Sequence, residues 1–132
     1  MRDGCPFCDY DGPSAVVKRG MVAIYNAAGD PHDYHYIVVE PLNPVTPGHL
    51  IVIPREHVDD FRLNEWQLGA AMVAASIVAA DTAADEIVEG EPKPGCNLIV
   101  SAGAEATQTV GHVHVHVVPR RAGDGLKLPW SA

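Results

Sequence analysis

The chain has 132 residues, 47% hydrophobic and 20% charged, which suits one folded domain over residues 1–132 with a real core. No apolar run approaches the ~18 residues of a membrane span, and the start, Met1-Arg2-Asp3-Gly4-Cys5, lacks the apolar region of a secretion signal, so a cytoplasmic protein without membrane contact is expected. A formal net charge of −8 argues against nucleic acid as a partner, because its phosphates need a broad basic field; a small phosphorylated ligand in a local pocket near Arg120 and Arg121 stays open.

The first signal in chain order is Cys5-Pro6-Phe7-Cys8. A Cys-x-x-Cys turn can present two thiolates to one metal ion. A redox pair is the other chemical reading, but redox motifs usually follow a strand and open a helix, and no strand signal precedes this one. The third cysteine, Cys96, sits in an apolar run and reads as a small core residue. An odd cysteine count makes a poor disulfide framework.

Ser14 to Lys18 and Met21 to Asn26 read as two short strands, or one bulged at Gly20. Ala27 to Asp33 reads as a loop, with His32 and His35 as surface histidines, and Tyr36 to Glu40 as a strand. Three prolines between Pro41 and Gly48 exclude a regular element there. Such a rigid loop, with Asn43 and Thr46 as side-chain donors, can form a ligand wall or a plain connector.

His49 to Pro54 is an almost unbroken apolar strand, hence central. Asn64 and Gln67 have the spacing of a capping box. The helix that follows is expected to reach about Glu89 and to end at Gly90 and Pro92. Trp66, Ala70, Val73, Ile77, Ala80, Ala84 and Ile87 form its expected core stripe. Met72, Ala75 and Ala79 form a second face that allows close approach of another helix, in a homodimer or within the chain. Cys96 to Ser101 is another strand, Ala102 to Ala106 a loop, and Leu126 to Trp130 a tail whose tryptophan is expected to dock. Strands flank one long helix without βαβ alternation, which predicts an α+β domain with a mostly antiparallel sheet.

His112-Val113-His114-Val115-His116-Val117-Val118 is the most informative stretch. On a strand, alternate residues share a face, so the three imidazoles are expected on one side, neighbours ~7 Å apart, with the valines opposite. A structural metal needs four ligands. Cys5 and Cys8 offer two, and His49, His57, His112, His114 and His116 are candidates for the rest. If His112 is a ligand, the metal staples the N-terminus to this strand and lies too far from the later histidines to act on a reacting group. His114, a neutral imidazole near pH 7, can then attack a phosphoryl group. His116 can serve the phosphate or the leaving group. Ser101, Gln108, Thr109 and the amides of the 102–106 loop can donate to phosphate oxygens. Taken alone, three alternating histidines could equally form a pure metal site.

The 112–118 run resembles the His-φ-His-φ-His-φ-φ signature of the histidine triad (HIT) family. Pro47-Gly48-His49-Leu50-Ile51-Val52-Ile53-Pro54-Arg55-Glu56-His57 is similar to that family's second motif, and Gln108-Thr109-Val110 fits directly before the triad. The resemblance spans most of the chain from Cys5 to about Asp124. It implies a five-stranded, mostly antiparallel sheet with one long helix, dimerised across helix and strand. It implies nucleotide hydrolysis or nucleotidyl transfer at the α-phosphate, with His114 as nucleophile, His116 at the phosphate or leaving group, and His49 orienting the site. Glu40, Leu42, Asn43, Ser101, Gln108 and Thr109 then fall at nucleotide contacts. It also implies a structural zinc held by Cys5, Cys8, His57 and His112. The sequence departs from the family where an acidic ribose contact is common and Pro41 stands, where Ser101 replaces a common Asn, and at Ala106-Thr107 in place of Ala-Gly. The Gln108 motif and the Val118 to Asp124 run are similar to the dinucleoside polyphosphate hydrolase branch, whereas Trp130 resembles the nucleoside phosphoramidase branch. A nucleotide-binding sensor with little turnover is the other functional class compatible with these residues.

Overall fold

The computed structural model describes residues 4–8, 10, 12, 15–84, 89–90 and 94–131. Five strands, β1 (Val16–Tyr25), β2 (Pro31–Val39), β3 (Leu50–Pro54), β4 (Gly95–Ile99) and β5 (Val115–Arg120), form one sheet in the order β1-β2-β3-β5-β4. Every neighbouring pair is antiparallel. One helix, α1 (Glu65–Ala84), lies against one face. This is the expected α+β architecture.

The unbroken apolar run of β3 is explained by its place. It is the middle strand, and Ile51, Val52 and Ile53 are buried on both faces. On the helix side Val52 joins Tyr36, Val38, Val115 and Val117 under the α1 alanines. On the other side Ile51 and Ile53 pack with Val39, Ile37, Phe7 and Tyr10.

Several boundaries differ from those read in the sequence. β1 is continuous, and its irregularity falls between Val16 and Lys18, not at Gly20. Gly20 instead makes room for a ring. Tyr36 lies over it, and a Cβ there would come within 2.4 Å of that side chain. β2 begins at Pro31, so His32 and His35 lie on a strand, and both are exposed. Asp30-Pro31 has turn chemistry, but a proline is tolerated as the first residue of a strand. The turn proper is shorter. The Asn26 side chain accepts from the amides of Ala28 and Asp30, with Gly29 in the left-handed region.

Helix α1 is rotated from its expected orientation. Ala70, Ala71, Ala74, Ala75 and Val78 are buried, whereas Trp66, Val73 and Ile77 are exposed. The residues read as a second face therefore look toward the sheet, and much of the expected core stripe looks outward. Alanines all round the helix let either face fit, and the close approach of helix to sheet favours the smaller one. The Asn64 side chain caps α1, accepting from the Trp66 and Gln67 amides at 3.1 Å. Gln67 does not return the bond: its amide donates to the Glu56 carbonyl at 2.7 Å. α1 is described to Ala84, and Glu89 and Gly90, the expected end of the helix, form a turn with Gly90 in the left-handed region. Ile87 of the expected stripe and Pro92 of the expected stop lie outside the described residues, as do Pro13 and Ser14 before β1.

Cys96 is exposed on the edge strand β4 rather than in the core. Trp130 is 80% exposed and not docked on this chain. No described helix is long and apolar enough to cross a membrane.

The cap of α1 predicts a defined loss. Asn64→Ala removes the one side-chain oxygen that accepts both bonds and should lower stability by about 1 kcal/mol, read as a shifted urea midpoint at unchanged slope.

Candidate active site and metal centre

β5 begins only at Val115, so His112 and His114 stand on the segment that leads into it, and His116 alone lies in the ladder, opposite Ile51. The rings still gather on one side. Those of His114 and His116 are 5.2 Å apart between centroids, closer than strand spacing alone predicts, and the Phe7 ring stands edge-on to both His112 and His114. Both faces of the segment are covered: Val113, Val115 and Val117 are buried, as are His112 and His114.

Cys5, Cys8, His57 and His112 bring one ligand atom each to within 4.8 Å of one another. Tetrahedral zinc, with bonds of ~2.3 Å to sulfur and ~2.05 Å to nitrogen, sets N···N near ~3.3 Å and N···S near ~3.6 Å. The chain shows 3.2 Å between the Nδ1 atoms of His57 and His112. It shows 3.0 Å from Cys8 Sγ to His57 Nδ1. The distances to His112 Nδ1 are 3.4 Å from Cys5 Sγ and 3.7 Å from Cys8 Sγ. Both imidazoles are held from behind. His57 Nε2 donates to the Asp59 carboxylate at 2.7 Å and His112 Nε2 to the Pro54 carbonyl at 2.7 Å. Those bonds put the protons on Nε2 and leave both Nδ1 lone pairs for a metal. The donor set and its second layer of partners fit a closed, structural zinc. Asp59 and the Pro54 carbonyl are not singled out by the sequence; Asp59, two residues after His57, is the one legible sign.

The remaining histidines form a chain whose tautomers can be read from its ends. An amide can only donate, and the Val45 amide points at His49 Nδ1 at 3.2 Å. His49 therefore carries its proton on Nε2, which faces His116 Nδ1 at 2.9 Å. His116 accepts there and carries its own proton on Nε2. A carbonyl can only accept, and His114 Nδ1 is 2.8 Å from the His112 carbonyl. His114 is thus protonated on Nδ1, with a bare lone pair on Nε2. Burial lowers the affinity of His49 and His114 for a second proton. Burial, with His114 and His49 beside it, lowers His116 to about 4. All three are neutral at pH 7. The arrangement offers one nucleophilic nitrogen, one N–H donor beside it and a fixed relay behind that donor.

The expected phosphate donors are placed less simply. Gln108 braces the loop instead: its oxygen accepts from the Gly103 amide at 2.9 Å and its amide donates to the Asp59 carbonyl at 2.6 Å. The amides of Ala106 and Thr107 close a 3-10 turn within the 102–106 loop. Thr109 lines a groove with Cys5 and His57, on the metal side. Ser101 is half-buried, and Glu40, Leu42 and Asn43 are exposed on the proline loop. Arg120 is not free to meet a ligand, since it holds Asp124 at 2.8 Å together with Asn97 and the Leu126 carbonyl. Arg121 reaches the Thr46 hydroxyl at 3.2 Å and the Pro47 carbonyl at 3.0 Å, tying down the proline loop.

Loss of one metal ligand should unfasten the N-terminal segment. Cys8→Ser is expected to remove bound zinc, read by elemental analysis, and to lower stability by several kcal/mol; unchanged zinc content would refute the assignment. The low affinity of His116 for a proton also sets a pH dependence. An unfolded imidazole titrates near ~6.5. Between there and about 4 the unfolded chain takes up a proton that the folded site refuses, so stability should fall as pH drops through that window. His116→Gln should flatten that part of the curve.

Comparison with known proteins places this geometry. The profile of the HIT domain matches residues 31–123. A HIT-like protein of Mycobacterium tuberculosis strain H37Rv is 30% identical over 125 residues, covering 94% of this chain and 76% of its own. The adenylylsulfatase HINT3 of Arabidopsis thaliana is 31% identical over 90 residues, covering 68% of this chain and 42% of that protein. The crystal structure of a zinc-bound histidine triad protein from Mycobacterium smegmatis superposes with a TM-score of 0.58 at 29% identity, covering 83% of this chain and 72% of that one.

Proposed function

From the premise that this chain belongs to the HIT-domain family, we propose that it is a nucleotide hydrolase or nucleotidyl transferase, acting at the α-phosphate through a nucleotidyl–histidine intermediate. The observation that carries this reading is the bond from His114 Nδ1 to the His112 carbonyl, which aims an unprotonated Nε2 out of the segment. That lone pair attacks the α-phosphorus, a P–N bond forms, and the bond to the leaving group breaks with its electrons going to the leaving atom. The Nε2–H of His116, fixed in that tautomer by His49, stabilises the charge that develops there. Water then attacks the same phosphorus and releases His114. Zinc, when bound by Cys5, Cys8, His57 and His112, supplies fixed geometry and no reacting group.

The substrate is a dinucleoside polyphosphate or a purine nucleoside phosphoramidate. The adenylylsulfatase name of the Arabidopsis relative supports a nucleotidyl substrate. Glu40, Leu42, Asn43, Ser101 and Thr109 are the nucleotide contacts in this reading, Gln108 braces the adjoining loop, and residues 1–132 act as one cytoplasmic domain. The active unit is a homodimer. Exposed Trp66, Val73 and Ile77 on α1 and the open edge of β4, with Ile99 39% exposed, are the faces it covers. A single-chain mass in light scattering would rule that assembly out.

His114→Ala should reduce turnover of the better substrate at least about a thousandfold while far-ultraviolet dichroism and zinc content stay unchanged. Rapid quenching of the native chain should trap a nucleotidyl adduct on the peptide that contains His114. Undiminished activity of the variant would end the mechanism.

A further inference from the structure

The sheet face that carries His116 extends past Phe7 and Tyr10 into a cavity of about 520 Å³, lined by Phe7, Tyr10, Arg19, His35, Ile37 and Arg55 among others. Strand register explains why these residues meet. Arg19 lies opposite Ile37, and Ile37 opposite Ile53. The Arg55 amide donates to the His35 carbonyl at 2.8 Å, one step along. Alternation then puts Arg19, His35, Ile37 and Arg55 on one face, with the two arginines on either side of β2. Two strand spacings and about two residues of stagger separate their backbones by ~12 Å, a span that two arginine side chains can close from opposite sides.

The charge balance of this cavity is unlike that of the rest of the chain. The protein carries a formal charge of −8, yet no carboxylate among the described residues lines this space. Every other arginine among the described residues is engaged: Arg62 by Asp60, Arg120 by Asp124, Arg121 by Thr46 and Pro47. Among the described residues Arg19 and Arg55 have no side-chain hydrogen bond and no ion pair. Two forked cations brought to one concavity, with no carboxylate among the described residues lining it, match the oxygens of a phosphate group. The pocket adjoins the reacting centre, since the Phe7 ring that lines it stands 5.0 Å from that of His114, but none of His49, His114 and His116 lines it.

We infer that this cavity is a second anion site for a small phosphate-bearing ligand, gripped by Arg19 and Arg55 and bounded by the rings of Phe7 and Tyr10. The assignment does not rest on the chemistry proposed for His114. A free polyphosphate and the phosphate of a nucleotide share the required oxygens, and the two rings offer a base something to stack on.

The test uses the zinc-loaded His114→Ala chain, which cannot form the covalent intermediate. It is titrated with inorganic pyrophosphate and, separately, with AMP, by calorimetry and by NMR of the arginine Nε–H groups. The site predicts that the Arg19 and Arg55 signals move to saturation while those of Arg62 and Arg120 stay. Adding Arg19→Ala and Arg55→Ala together should weaken the binding that moves them at least about tenfold. Movement with pyrophosphate alone identifies a free polyphosphate as the ligand, and movement with AMP as well identifies a nucleotide. Arg19→Lys with Arg55→Lys, which keeps charge and loses the fork, should bind between the two extremes and guards against misfolding of the alanine variant. In an otherwise native background the alanine pair should leave turnover within about twofold. Unmoved arginine signals, or equal affinity in the alanine variant, would overturn the site even if the His114 chemistry stands.

Discussion

A neutral imidazole has one proton and two nitrogens, so fixing the role of one nitrogen requires a partner at the other. Much of this structure serves that constraint. The Pro54 carbonyl and Asp59 hold Nε2 of His112 and His57 and leave their Nδ1 atoms to a metal. The Val45 amide and the His112 carbonyl do the same for His49 and His114. The partners come from the end of β3, the stretch between it and α1, the proline loop and the segment before β5. The rigidity of the proline loop, tied by Arg121 to Thr46 and Pro47, therefore has a chemical meaning. A shift at Val45 would free the proton of His49 to change nitrogens and, through it, that of His116.

Burial supports the same constraint. A charged imidazole would give up its second lone pair and disorder the relay. Removal from water disfavours that form, so the low proton affinity of His116 and the fixed tautomers have one origin: β5 is covered from both faces. The bilayered core, α1 on one side and Phe7 and Tyr10 on the other, thus sets electrostatics as well as stability.

The parts of this arrangement legible in the sequence are those written in spacing or in short motifs. The unbroken run of β3 announces a central strand, Cys5 and Cys8 announce a metal pair, and the alternation around His114 announces a common side. Features that depend on competition between distant partners are not legible. The alanines of α1 satisfy either helix face, so the sequence pattern cannot choose, and the sheet selects the face with the smaller side chains. Asp30-Pro31 has turn chemistry, but pairing with β1 draws it into β2. Cys96 looks buried by its neighbours in sequence, yet β4 is an edge and its side chain looks out. Gln108 reads as a donor to a ligand, and its two bonds to the backbone at Gly103 and Asp59 depend on a loop closure that local sequence does not encode. The arginines of the second cavity belong to the same class, since Arg19 and Arg55 meet only through the register of three strands.

His112 takes part in two centres with two different parts of itself: its imidazole faces the cysteines and its carbonyl holds the proton of His114. The second contribution does not depend on what side chain stands at that position. The metal cluster and the nucleophile are therefore joined by a single residue but not by a single chemical group. A descendant of this chain could trade the zinc clasp for plain apolar packing around the N-terminal turn and still keep the tautomer that makes His114 reactive, provided the backbone path from 112 to 114 is preserved. Metal dependence in such a fold is a mechanical habit of the N-terminus, separable from the chemistry beside it.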